Sequence, residues 1–89
     1  MNDKIKQLIN KASDCGKRVT AKQQEKITRF FEENTSWVST TGDTVTVCMI
    51  EWIFGKPYIQ FTASSNSNFK MVMSAQYFIN THKPQLTKS

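Results

Sequence analysis

The first third of the chain carries hydrophobic residues at helical spacing. They recur at intervals of three and four, so residues 2–15 are predicted to form an amphipathic helix that Asn2 or Asp3 caps and Gly16 ends. The stripe consists of Ile5, Leu8, Ile9, Ala12 and Cys15.

A second helix is predicted over residues 20–34. Thr20 and Gln23 have the spacing of a capping box, in which each side chain bonds the other residue's free backbone N–H. Ile27, Phe30 and Phe31 form the apolar face. Because the link over residues 16–19 is short, the two helices are expected to form a hairpin.

Residues 44–54 and 57–63 are rich in β-branched and aromatic side chains and are predicted to be strands. Gly55 and Lys56 join them, either as a two-residue turn or inside a four-residue loop closed by Ile53 and Tyr58. Both loops predict the same core face. On it Trp52 lies opposite Ile59, Ile50 opposite Phe61, and Cys48 opposite Ala63.

A shorter strand is predicted over residues 36–40, before a turn at Thr41, Gly42 and Asp43. A two-residue turn directs Trp37 into the core, and a three-residue turn directs Val38 there instead. We expect Trp37 inward, because its indole ring buries the larger apolar area.

Residues 68–82 are predicted to form the last helix, with Phe69, Val72, Ala75 and Ile79 on one stripe. Residues 84–89 are expected to be a flexible tail. The 89-residue chain is therefore predicted to be one compact α+β domain over residues 1–83. Its elements are an N-terminal helical hairpin, a three-stranded antiparallel β-meander and a C-terminal helix.

The composition of the chain has an excess of positively charged residues. The chain has 12 Lys and Arg against 7 Asp and Glu, a formal net charge of +5. Such a charge could attract an anionic partner. It could equally serve only to keep the protein soluble. The sequence leaves both interpretations open.

The strongest functional signal is a stripe of three cations on the second helix. Lys22, Lys26 and Arg29 recur at i, i+4 and i+7, and Lys17 and Arg18 precede them in the link. Such side chains bind phosphates, whereas bidentate base reading favours arginine, which this chain has only twice. We therefore predict a small, non-enzymatic accessory or regulatory protein that binds the nucleic-acid backbone with low sequence specificity.

Enzyme chemistry is not indicated. The single histidine, His82, lies at the end of a predicted helix, where it suits the helix dipole as a surface side chain. No Gly-rich phosphate loop, metal-ligand spacing or nucleophile–base pair accompanies it, so neither a metal nor a cofactor is expected. A minimal nuclease that uses His82 is the third hypothesis.

The outer face of the predicted sheet supports a second hypothesis, a protein–protein interaction module. An apolar band on this face marks an interface unless a helix covers it. A homodimer or an inhibitor-type binder, of a type common on mobile elements, would use Val38, Val47, Met49, Ile53 and Tyr58.

The cysteines and the apolar runs predict a cytoplasmic protein. Cys15 and Cys48 form no Cys-x-x-Cys motif, and both are expected to be buried thiols, with their proximity left open. The polar, lysine-rich start lacks the apolar run of a signal peptide, and no stretch is long enough to span a membrane. Neither a membrane nor a small-molecule substrate is expected.

The order of elements from Thr20 onward, helix–strand–strand–strand–helix, resembles a double-stranded-RNA-binding domain. That family has a lysine cluster at the start of its last helix, where this chain has Ser67, Asn68, Phe69 and Lys70. The whole chain is also loosely similar to small ribosome-dependent toxin nucleases, which join a helical hairpin to a basic sheet. Those nucleases carry arginines on the sheet, and this predicted sheet has none.

Overall fold

A computed structural model describes residues 3–14 and 19–85 of the chain. These residues form three α-helices and five β-strands. The elements are α1 (Asp3–Asp14), α2 (Ala21–Glu33), β1 (Ser36–Ser39), β2 (Thr44–Ile53), β3 (Lys56–Ala63), β4 (Asn66–Ser74), α3 (Ala75–Thr81) and β5 (His82–Pro84). The predicted α+β class is confirmed, but the sheet has five strands where three were predicted.

The first helix forms where the apolar stripe predicts it. Ile9 and Ala12 are fully buried on the inner side of α1. Asn2, the proposed cap, and Cys15 and Gly16, at the predicted end, lie outside the described residues. Whether Cys15 approaches Cys48 therefore stays open.

The second helix begins with the predicted capping box. The Gln23 N–H donates to Thr20 Oγ1 at 3.2 Å, and the Thr20 N–H donates to Gln23 Oε1 at 3.0 Å. At the other end, the backbone N–H of Asn34 donates to the carbonyl of Phe30. A local sequence signal therefore defines the start of α2.

The five strands form one antiparallel sheet in the order β4-β3-β2-β1-β5. All three helices pack on the inner face of this sheet: α1 on β3, α2 on β2, and α3 on β3, β4 and β5. Buried residues of the helices and of this face form one hydrophobic core. The outer face of the sheet has no described helix against it.

An aromatic cluster joins the helices to the sheet. The fully buried ring of Trp37 stacks on Phe31 of α2, with centroids 5.6 Å apart, and meets Phe78 of α3 at 4.9 Å. Phe78 also contacts Phe61 of β3 at 5.1 Å. The Trp37 indole N–H donates to the carbonyl of Asn34 at 2.6 Å. The inward orientation predicted for Trp37 is therefore confirmed.

The predicted start of the last helix is wrong. β4 occupies the first two turns of that helix, and α3 begins only after Ser74, whose hydroxyl accepts the N-cap bond from Tyr77 N–H. In the strand, Met73 lies opposite Ile59 of β3. Pairing with β3 provides backbone hydrogen bonds along one side of this segment, which a helical pattern read along the chain does not reveal.

The hairpin between β2 and β3 turns at Phe54 and Gly55, one residue earlier than predicted. Ile53 pairs with Lys56, so the register differs from the prediction by two residues and Trp52 keeps its face. Both turn residues have positive φ, 52° at Phe54 and 78° at Gly55. These signs are those of a type I′ turn.

A β-bulge at Cys48 reverses the faces of the first half of β2. The register with β3 shifts between Val47 and Met49, because a bulge adds one unpaired residue to its strand. Val47, predicted on the outer face, is therefore 6% exposed in the core, and Cys48, predicted in the core, is exposed.

The same bulge accounts for the orientation of Trp37. The Ser39 N–H donates to the carbonyl of Asp43 at 2.8 Å, so the loop between β1 and β2 has three residues, the length that was expected to turn Val38 inward. Trp37 nevertheless faces the core, because it pairs with Val45 on the reversed half of β2.

The sheet continues beyond the predicted end of the domain. β5 places His82 opposite Ser39 and Pro84 opposite Trp37, and the Gln85 N–H donates to the carbonyl of Ser36 at 2.8 Å. Pro84 and Gln85, predicted to begin the tail, thus belong to this edge of the sheet. Residues 86–89 lie outside the described part of the chain.

Candidate nucleic-acid interface

The three cations predicted on α2 share its solvent side. Lys22, Lys26 and Arg29 are exposed, while Ile27 and Phe31 on the opposite side are buried in the core. Helical periodicity therefore presents the three charges where an anion can reach them.

Arg29 has an acidic neighbour on the same helix. Its Nη2 lies 3.1 Å from Glu25 Oε1, and the two side chains are 66% and 67% exposed. An exposed i,i+4 ion pair contributes only about 0.3–0.5 kcal/mol to stability. An incoming phosphate can therefore compete with Glu25 for the guanidinium.

Two shallow depressions lie beside these cations, and Lys26 borders both. The first runs along α2 and the second along α1. The first is lined by Ile5, Lys22, Glu25, Lys26, Arg29, Phe30 and Glu33, and the second by Lys4, Ile5, Gln7, Leu8, Lys11 and Lys26.

The packing of α1 beside α2 brings two further lysines to the stripe. Lys4 and Lys11 lie seven residues apart on α1, so both face the second depression. Together with Lys22, Lys26 and Arg29 they form a basic face, against which Glu25 and Glu33 are the two acids in the linings. Lys4 and Lys11 were not among the predicted site residues, although their spacing on a hairpin helix was a usable signal.

Two of the predicted site residues cannot be placed. Lys17 and Arg18 lie between α1 and α2 in the sequence, outside the described residues. The structure therefore brings together three of the five predicted binding residues and leaves the other two without a position.

His82 lies at the end of α3 but in the core, so the surface position expected for it is wrong. It is 8% exposed, and its ring stacks on Phe78 with centroids 4.4 Å apart. Burial lowers the pKa of His82 below its usual 6.5, opposed by a hydrogen bond to the Phe78 backbone. The imidazole is consequently neutral near pH 7.

The structure leaves four of the five outer-face residues on that face. Met49 and Ile53 are 49% and 42% exposed, and Val38 and Tyr58 are half-buried. Val47 is the exception, because the bulge turns it into the core. The alternative in which a helix covers this face does not hold for the described helices, which all pack on the inner face.

Other site types find no support in the described ranges. Within residues 3–14 and 19–85, no three His, Cys, Asp or Glu side chains come together as a metal site. No helix of this part of the chain combines the length and the apolar character that crossing a membrane requires.

Comparisons of the chain with protein-family models, curated proteins and solved structures found no match.

Proposed function

We propose that this protein is a small, non-enzymatic accessory protein that binds nucleic acid through the backbone phosphates. The observation that carries the proposal is the basic face, where α1 and α2 gather Lys4, Lys11, Lys22, Lys26 and Arg29 around two adjoining depressions. Release of counterions from the phosphates by such cations supplies most of the affinity in non-specific binding.

The length of the basic stripe suits several phosphates at once. From Lys22 to Arg29 the helix rises about 10 Å, and duplex DNA carries one negative charge per about 1.7 Å of its axis. Contacts with about three to five phosphates therefore fit along the face. Since lysine is a point charge without a fixed hydrogen-bonding fork, little sequence reading is expected.

Two further features support this function and a cytoplasmic setting. Lys17 and Arg18, between the two helices in the sequence, are two further cations. Cys48 has an exposed, free thiol, which suits a reducing compartment.

Charge reversal on the stripe tests the proposal. In the Lys22→Glu/Lys26→Glu/Arg29→Glu variant we expect the far-UV circular dichroism to be retained and binding to be lost. The matched control, Lys56→Glu/Lys70→Glu/Lys83→Glu, changes three exposed sheet residues and gives the same net charge. Because binding depends on where the charges lie, this control is expected to retain most of the affinity.

Fluorescence anisotropy against duplex DNA, duplex RNA and single strands, repeated across salt concentrations, provides the measurement. For the wild-type protein, log affinity should fall with log salt at a slope that corresponds to about three to five phosphates. Equal loss in both triple variants would assign binding to net charge alone, and no binding at low salt would make the positive charge a solubility feature.

The open outer face of the sheet supports a second candidate function, that of a protein–protein interaction module. Met49 and Ile53 are large apolar side chains exposed on the central strand of the sheet, and a contiguous exposed apolar patch is typical of a protein interface. If two copies pair through this face, sedimentation of the wild-type protein will show a dimer that Met49→Asp abolishes. A wild-type monomer at all concentrations would remove the homodimer version.

A further inference from the structure

A groove away from the basic face opens where the β1–β2 and β3–β4 hairpins turn. Its volume is about 700 Å³, within the range of about 300–1,000 Å³ that is typical of small-ligand sites. Its apolar side comes from the inner face of the sheet and consists of Val45, Phe61, Met71 and Met73. A flat apolar body of modest size fits such a surface.

The opposite wall of the groove is polar and offers a carboxylate. The Asp43 N–H donates to Ser39 Oγ at 3.0 Å, and the hydroxyl of Thr41 donates to Asp43 Oδ2 at 3.0 Å. These bonds hold the Asp43 side chain in place, while no hydrogen bond among the described residues engages Oδ1. Asp43 is the acidic residue of the lining, so the wall attracts a cation.

His82 borders the same groove, directly opposite Ser39 in the β1–β5 pairing. The Thr81 hydroxyl oxygen lies 3.0 Å from the carbonyl oxygen of Tyr77 and 2.8 Å from His82 Nδ1. The tautomer with its hydrogen on Nδ1 satisfies both contacts, and it leaves a lone pair on Nε2.

Nε2 of His82 is a hydrogen-bond acceptor without a partner. The residue is 8% exposed, yet Nε2 is not a sealed atom, because among the described side chains only Ser13 Oγ is both enclosed and unpaired. The exposed edge of the imidazole therefore opens onto the groove that it lines. An acceptor that opens onto the groove in this way can accept a hydrogen bond from a ligand that brings its own donor.

We propose that the groove binds a small amphipathic amine. Its ammonium group donates to the Asp43 carboxylate and to Nε2 of His82, and its apolar body lies on Phe61, Met71 and Met73. An anion is disfavoured by Asp43, and a purely apolar molecule leaves both acceptors unpaired. The site is independent of the basic face, so it stands or falls separately from nucleic-acid binding.

A pair of probe molecules that differ only in the polar group tests this assignment. Phenethylamine carries the ammonium group and an aromatic body, and 2-phenylethanol replaces the ammonium with a hydroxyl. Ligands of this size bind weakly, so titration is followed by NMR shifts of the backbone amides and methionine methyl groups into the millimolar range. We expect phenethylamine to shift the amides of Thr41 and Asp43 and the methyl groups of Met71 and Met73, and to bind at least about fivefold more tightly than the alcohol.

Two charge-neutralising variants complete the test. Asp43→Asn removes the carboxylate of the groove and should weaken phenethylamine binding about tenfold, with the alcohol unaffected. Glu51→Gln removes a carboxylate from the outer face of the sheet and should change the affinity by less than about twofold. The assignment would be overturned if the amine and the alcohol bound equally well or if the two variants had equal effects. It would also be overturned if the NMR shifts were confined to other surfaces or did not occur at all.

Discussion

At the scale of single residues, Phe54 is the one described residue other than glycine with a positive φ. Its φ of 52° lies in the left-handed region, and the ring is 97% exposed at the tip of the β2–β3 hairpin. A type I′ turn needs positive φ at both central positions, which Gly55 adopts at no steric cost and a bulky residue does not. The exposed ring buries too little apolar area to offset this cost.

Replacing Phe54 with asparagine should therefore stabilise the protein. Asparagine tolerates the left-handed region, and Asn-Gly is the preferred pair for this turn, so we expect Phe54→Asn to raise the free energy of unfolding by about 1 kcal/mol. Urea denaturation measures the change. Phe54→Ala is the control that removes the ring without relieving the backbone, and it should change stability little. Equal stability of the two variants would contradict backbone strain at Phe54.

At the scale of elements, contacts between residues close in sequence could be predicted, whereas the pairing of strands could not. The capping box at Thr20 and Gln23 is a contact between residues three apart, so the sequence alone locates the start of α2. The bulge at Cys48 depends on how β2 meets both β1 and β3. Residues 68–74 fit a helical stripe and a strand almost equally well, and the adjacent edge of β3 decides between them.

Two aspartate substitutions in β2 test the bulge directly. The sequence-based register places Val47 and Met49 on the same outer face, whereas in the structure Val47 is 6% exposed and Met49 is 49% exposed. Val47→Asp buries a carboxylate without a partner and should cost at least about 3 kcal/mol or prevent folding. Met49→Asp leaves the carboxylate in solvent and should cost only about 1 kcal/mol, mainly through the low strand propensity of aspartate. Thermal and urea denaturation measure both, and similar costs for the two variants would contradict the bulge.

At the scale of the whole molecule, packing between elements determines the candidate sites. The α2 stripe was predictable from spacing within one helix, but the contribution of Lys4 and Lys11 requires α1 to lie beside α2. Predicting the groove would have required the order and register of the whole sheet, since all five strands contribute to its lining. Placing all helices on one face gives the molecule three separate surfaces: the basic face, the groove and the open sheet.

The single core behind these surfaces predicts one cooperative unfolding transition, and Phe78 is the residue that tests it. Its ring contacts Phe31, Trp37, Phe61 and His82, which belong to α2, β1, β3 and β5. Phe78→Ala leaves a cavity where these elements meet and should cost about 3–5 kcal/mol, a large part of the about 5–15 kcal/mol of a typical domain.

The neighbouring Tyr77 provides the matched control for this substitution, because it lies on the same helix but is 60% exposed. Tyr77→Ala should change stability by about 0.5 kcal/mol or less. In urea, tryptophan fluorescence reports on Trp37 in the core and on Trp52, which packs against the core, and far-UV circular dichroism reports on the helices and the sheet. If one core unites the layers, both signals shift to lower urea together in Phe78→Ala. Separate midpoints for the two signals would show instead that the helices and the sheet are stabilised independently.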